Sequence, residues 1–113
     1  MDCLFCKIIS GEIPTKLAFE DPEIIVIHDI KPQAPTHMLV LPKKHIATLN
    51  NVDSKDEQLL GRIITTAKKM AKAEKINEDG YRLVFNVNSG GGQDVYHIHL
   101  HILGGRQMTW PPG

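Results

Sequence analysis

Two spacings of apolar residues divide the chain into elements. Leu59, Leu60, Ile63, Ile64, Ala67, Met70 and Ala71 recur with the 3.6-residue period of an amphipathic helix. Ser54 can cap that helix, with Glu57 three residues later at capping-box spacing. Lys68, Lys69 and Lys72 fall near its C-terminus, where the helix dipole favours cations. The shorter apolar runs read as strands: Leu17–Glu20 and Ile24–Asp29 around an Asp21-Pro22 turn, His37–Leu41 ended by Pro42, Arg82–Val87 after Asp79-Gly80, and Tyr96–Leu103 ended by Gly104-Gly105. Residues 3–9 predict a short helix, stopped near Gly11 and Pro14, and His45–Asn50 a helical turn. Lys31–Pro35 and Ser89–Gly92 predict loops. Strands joined by short turns, plus one long helix and one short N-terminal helix, predict an α+β domain with an antiparallel five-stranded sheet.

Composition narrows the class. At 113 residues the chain has the size of one domain, 1–113, and its 42% hydrophobic and 23% charged content suits an ordinary globule. Aromatics are 5%, so the core must be mostly aliphatic. Lys+Arg and Asp+Glu are 13 each, a balance with no electrostatic footprint for nucleic acid or an anionic membrane surface. No apolar run reaches the ~18 residues of a membrane span. Asp2 and Lys7 interrupt the first residues, which do not read as a signal peptide, so a cytoplasmic location is expected. In that compartment Cys3 and Cys6 read as thiolate ligands, a redox pair or free thiols before they read as a disulfide.

The last strand carries the chemistry. Tyr96–Leu103 reads Tyr-His-Ile-His-Leu-His-Ile-Leu. Strand alternation turns Ile98, Leu100 and Ile102 to a core and His97, His99 and His101 to the other face. A solvated face would rarely repeat one switchable residue three times. A strand rises about 3.3 Å per residue, so His97 and His101 lie about 13 Å apart. Three imidazoles on one ion, as in a zinc hydrolase, would need a sharp bend. The competing reading is phosphorus chemistry, in which one imidazole attacks and a neighbour hydrogen-bonds the phosphoryl oxygens. Gly90, Gly91 and Gly92 precede the row, and a glycine loop there can turn backbone N–H groups toward an anion.

The run His97-Ile98-His99-Leu100-His101-Ile102-Leu103 resembles the His-φ-His-φ-His-φ-φ motif of the histidine triad superfamily, φ being apolar. His28-Asp29-Ile30, Pro32–His37, Pro42–His45 and Gly104–Met108 through Trp110-Pro111-Pro112-Gly113 are similar to its nucleotide-binding (Hint) branch. The resemblance implies a purine nucleoside phosphoramidase or related nucleotidyl hydrolase that pairs into a two-fold homodimer. Its substrate would be a purine nucleotide conjugate with an AMP or GMP moiety. It implies that His99 is the nucleophile on the α-phosphorus and that His101 hydrogen-bonds the phosphoryl oxygens, with His37 approaching from the neighbouring strand. Asp29 would take the ribose hydroxyls, and Phe5, Ile8, Ile27 and Ile30 would bound the base. Asn86, Gly92, Gln93 and Asp94 would surround the phosphate, and Trp110 would dock near the partner's site.

Asp94 departs from the serine often found in relatives. An ionised carboxylate cannot donate to a phosphate and repels it. A nucleotide-binding regulatory or scaffold protein with little turnover is therefore the alternative function. The amphipathic helix and an edge offered by the last strand are the expected dimer surfaces. Some relatives with the same Cys-x-x-Cys carry a structural zinc. The same ligand set here would be Cys3, Cys6, His45 and His97, with no cofactor required for catalysis.

Overall fold

The computed structural model describes residues 3–113. Asp2, read above against a signal peptide, lies outside the described residues. In chain order the regular elements are α1 (Leu4–Ile9), β1 (Leu17–Glu20), β2 (Ile24–His28), β3 (Thr36–Pro42), α2 (Glu57–Ala73), β4 (Tyr81–Val84) and β5 (Leu100–Gly104). The five strands form one antiparallel sheet in the order β1-β2-β3-β5-β4. The α+β expectation holds.

Both faces of the sheet are covered. Ile24, Val26, Met38, Val40, Leu100 and Ile102 pack on one face against Ile63, Ala67, Met70 and Ala71 of α2. Ile25, Ile27, Leu39 and Leu41 pack on the other against Cys3 and Phe5 of the N-terminal segment. This is why β2 and β3 read as continuous apolar runs: alternate side chains enter two different cores. Arg62 of α2 pairs with Asp21 and Glu23 and ties the helix to the β1–β2 turn.

Several boundaries differ from the sequence reading. Ser54 is not the cap of the long helix. Asp53 caps a preceding 3-10 turn, Ser54–Asp56, in a capping box with Asp56, and α2 continues from it. A carboxylate accepts the orphan N–H groups as well as a serine hydroxyl does, and Asp56 also takes Lys44 at 2.7 Å. The helical turn expected at His45–Asn50 is a short 3-10 turn at Leu49–Asn51. β4 stops at Val84 rather than Val87.

β5 begins at Leu100 rather than Tyr96, because the Ile98 N–H donates to Ile46 O in a loop instead of a neighbouring strand. Nor does the last strand offer an edge, since β5 lies between β3 and β4, and the edges are β1 and β4. The dimer surface expected there is therefore not available on β5.

Candidate active site

The central pair of strands, β3 and β5, places His37 and His101 on one face. Leu39 lies opposite His101 in register, and His37 opposite Leu103. Phe5 packs its ring edge against His99, with centroids 5.0 Å apart, so α1 supports the row from below. Ile98, Leu100 and Ile102 enter the α2 core, as the alternation required.

The histidines do not converge on one point. Each is fixed by different partners, and those partners set its tautomer. His99 holds its Nδ1 2.8 Å from the carbonyl oxygen of His97. A carbonyl only accepts, so Nδ1 carries the proton and Nε2 keeps its lone pair. That Nε2 lies 3.9 Å from Asp94 Oδ1.

A second chain of hydrogen bonds sets His101. The Gln33 N–H donates to His37 Nδ1 at 3.0 Å, which forces the His37 proton onto Nε2. His37 Nε2 lies 2.9 Å from His101 Nδ1 and donates to it. The His101 proton is thereby placed on Nε2, the one buried side-chain polar atom among the described residues with no hydrogen-bond partner. The site thus presents a lone-pair nitrogen on His99 and an uncommitted N–H donor on His101, with ring centroids 5.0 Å apart.

Burial sets the charge state. Desolvation, reinforced by His99 and His37, pushes His101 down to about 4 from the ordinary imidazole value. Burial lowers His37 as well, with Asp29 opposing the shift. Both rings are neutral at pH 7. Asp29 Oδ2 lies 3.4 Å from His37 Nε2, while Asp29 Oδ1 accepts the Lys31 N–H at 2.8 Å.

The remaining expected site residues scatter. Ile27 is buried, and Ile8 packs beside the same cluster. Ile30 is 91% exposed and Trp110 82% exposed. Asn86 is half-buried. Gln93 is buried and committed to the backbone: its Nε2 donates to Ala47 O and Val95 O, and its Oε1 accepts the Asn88 N–H. The glycine loop also differs from the anion cradle read in the sequence. The N–H groups of Gly91, Gly92 and Gln93 donate to Asn88 O and Ser89 O, closing the turn on itself. Gly92 is the left-handed residue at its end.

A separate cluster brings Cys3, Cys6, His45 and His97 close enough to share one metal ion. His97 Nε2 donates to Pro42 O at 2.7 Å, leaving Nδ1 unprotonated and turned to the cysteines. That Nδ1 lies 3.2 Å from His45 Nδ1, 3.5 Å from Cys3 Sγ and 3.6 Å from Cys6 Sγ. Cys6 Sγ lies 3.4 Å from His45 Nδ1. A tetrahedral ion with bonds of about 2.3 Å to sulfur and about 2.05 Å to nitrogen would space its ligands by about 3.3–3.8 Å, the two sulfurs being farthest apart. These four distances fit it, and all four ligand atoms lie within 4.8 Å of one another.

The HIT domain family model matches residues 10–108. This chain belongs to the HIT domain family. Over 107 residues it is 51% identical to the purine nucleoside phosphoramidase of Escherichia coli K12, covering 95% of this chain and 90% of that protein. The HIT family hydrolase from Legionella pneumophila Philadelphia 1 is 67% identical, with a TM-score of 0.97, covering 99% of this chain and all of that one. A histidine triad protein from Clostridium difficile is 40% identical at TM-score 0.92, covering 96% and 95% of the two chains. This HIT-domain protein is a hydrolase. No helix among the described residues is long and apolar enough to cross a membrane.

Sequence reasoning missed three backbone partners of this HIT site: His97 O, Pro42 O and the Gln33 N–H. No side-chain pattern could have signalled them, because every residue type carries these groups. The two prolines around Gln33 were the nearest hint, since they hold the loop beside His37 in a fixed path.

Proposed function

We propose that the protein hydrolyses purine nucleoside phosphoramidates, or related nucleotidyl conjugates, through a nucleotidyl-His99 intermediate. The fixed tautomer of His99 carries the reading. With the Nδ1 proton held by His97 O, the neutral ring presents its lone pair at Nε2, the nucleophile. Nε2 attacks the α-phosphorus, and the P–N bond breaks with its electron pair on the leaving nitrogen, which takes a proton from solvent. Water then attacks the phosphorus, Nε2 recovers its pair, and the nucleoside monophosphate leaves. The free Nε2–H of His101 donates to a phosphoryl oxygen as charge builds there, and His37 holds it in that tautomer.

Asp29 takes the ribose hydroxyls, and the base lies against apolar residues of the Ile8, Ile27 and Ile30 region, with an AMP or GMP moiety as occupant. Asn86, Gly92 and Asp94 border the phosphate. Mass spectrometry after mixing the protein with adenosine phosphoramidate should trap an adduct on His99. An adduct on His101 would overturn the assignment.

Residues 1–113 make one histidine triad domain in this reading, working as a two-fold homodimer in the cytoplasm without nucleic acid or membrane partners. The exposed Ile64, Ile30 and Trp110 side chains and the free edge of β4 support pairing. Zinc is the ion that suits two thiolates and two imidazoles, and it would pin the N-terminal segment to the sheet. Asp94 beside the nucleophile favours the second reading, a nucleotide-binding regulatory protein with slow turnover. Tight binding of adenosine phosphoramidate without measurable hydrolysis would favour it.

A further inference from the structure

An exposed carboxylate next to a phosphate-attacking nitrogen is a cost that needs a compensating charge. Asp94 Oδ1 lies 3.9 Å from His99 Nε2, while the Asp94 side chain is 84% exposed and the His99 side chain only 4%. A solvent-exposed carboxylate therefore stands beside a nearly buried imidazole. A cleft of about 470 Å³ opens from Asp94; Leu4, Ala47, Val95 and Tyr96 wall it, and Cys3 and His45 of the metal cluster border it. The nucleotide pocket of the reading above draws on Ile8, Ile27, Asp29 and Ile30, none of which lines this cleft.

An in-line displacement needs the leaving group on the far side of phosphorus, with reacting atoms at first about 3–3.5 Å apart. When the attack runs along the side of Nε2 that faces Asp94, the departing nitrogen passes beside that carboxylate, 3.9 Å from the same Nε2. A neutral leaving group leaves Asp94 facing the phosphate with like charge. A cationic one lies between them and reverses the sign of the interaction.

We propose that Asp94 and the cleft of Leu4, Ala47, Val95 and Tyr96 form a leaving-group subsite selective for amines that carry a second, positively charged ammonium on a short apolar chain. This rests on the phosphoramidase reading and names the half of the substrate that the nucleotide pocket does not contact. Asp94 is then a specificity-determining residue. Its carboxylate discriminates by charge, and the apolar walls take the methylene chain.

The test compares two adenosine phosphoramidates of matched length, one made from pentylamine and one from 1,4-diaminobutane. The unsubstituted phosphoramidate serves as reference. In the wild type, kcat/KM should favour the diamine conjugate by about three- to fivefold, the range of a partly exposed ion pair. Added salt should shrink that ratio. Asp94→Asn should bring the ratio to about one, and Asp94→Lys should invert it. Tyr96→Ala should lower kcat/KM for both long-chain conjugates relative to the unsubstituted one. Cleavage of all three compounds with a ratio near one in both wild type and Asp94→Asn would overturn the subsite alone. Failure to cleave even the unsubstituted compound would overturn the phosphoramidase reading, and the subsite with it.

Discussion

His37 dictates which nitrogen of His101 carries its proton: their facing nitrogens lie 2.9 Å apart, and Gln33 leaves His37 no choice but to donate. His37 thus acts through His101 rather than on the substrate. His37→Leu removes the donor and frees the His101 ring to change tautomer. We expect kcat to fall about tenfold to a hundredfold with KM little changed, the pattern of a lost transition-state contact. Steady-state kinetics on adenosine phosphoramidate checks this, and an unchanged kcat would remove His37 from the relay.

His99→Ala should lower turnover by about four orders of magnitude or more while leaving AMP binding close to wild type. In the proposed mechanism the ring contributes the attacking nitrogen, whereas the nucleotide contacts are assigned to Asp29 and the apolar residues. Calorimetric titration with AMP separates the two effects.

Acid should destabilise the fold through His101. The unfolded ring binds its proton near pH 6.5, and the folded ring only near about 4. Between those values the unfolded state holds more protons, so stability is complete above about pH 6.5 and falls as pH drops toward about 4. Water reaching part of the ring keeps the loss to about 1–2 kcal/mol. His37 shifts the same way and adds to the effect. The groups facing His101 are His99, His37, Asp29 and Asp94. Melting temperatures across this window, for wild type and His101→Asn, should diverge at neutral pH and converge near pH 4.

Cys3→Ser combined with Cys6→Ser should lower the melting temperature by about 10 °C or more, because metal binding energy is folding energy. Metal analysis of the purified wild type should find about one zinc per chain. A metal-free protein whose melting temperature a chelator leaves unchanged would refute the zinc site.

Gly105→Ala should cost about 1–3 kcal/mol. Gly105 has φ +90°, and a Cβ there would lie 2.8 Å from Cβ of Pro35, a rigid ring in the loop beside His37. Gly104 lacks the positive φ, but a Cβ there would meet Ile76 Cδ1 at 2.5 Å and Ile76 Cβ at 3.2 Å, so its cost is set by how far that buried side chain can shift. Chemical denaturation of both alanine variants measures the difference.

Much of this site could be read from side-chain chemistry. The alternation His97-Ile98-His99-Leu100-His101-Ile102 placed three apolar residues in the α2 core because period two survives even where strand pairing does not. Cys-x-x-Cys pointed to His45 and His97 because a tetrahedral ion needs two further donors. What could not be read was backbone traffic. The pairing of Ile98 with Ile46 shortens β5, and the closed turn at Asn88–Gln93 uses amides that a glycine-rich sequence seemed to offer to an anion. Ser54 lost the cap position to Asp53 because two residues with equal capping power stood side by side. The sequence also left strand order open, and that order moved the free edge from β5 to β4.

The strands that carry His37 and His101 are interior members of the sheet, with β1 and β2 on one flank, β4 on the other and an apolar layer above and below. Partial opening of a protein starts at frayed edges and termini, where few contacts are lost, and reaches the interior only with global unfolding. The amide protons of Leu39 and Ile102 should therefore exchange with solvent as slowly as any in the chain. The contact between the His37 and His101 rings should be lost on heating together with the fold rather than before it. For the His37–His101 pair there is then no gradual loosening: the two rings face each other until the sheet itself opens.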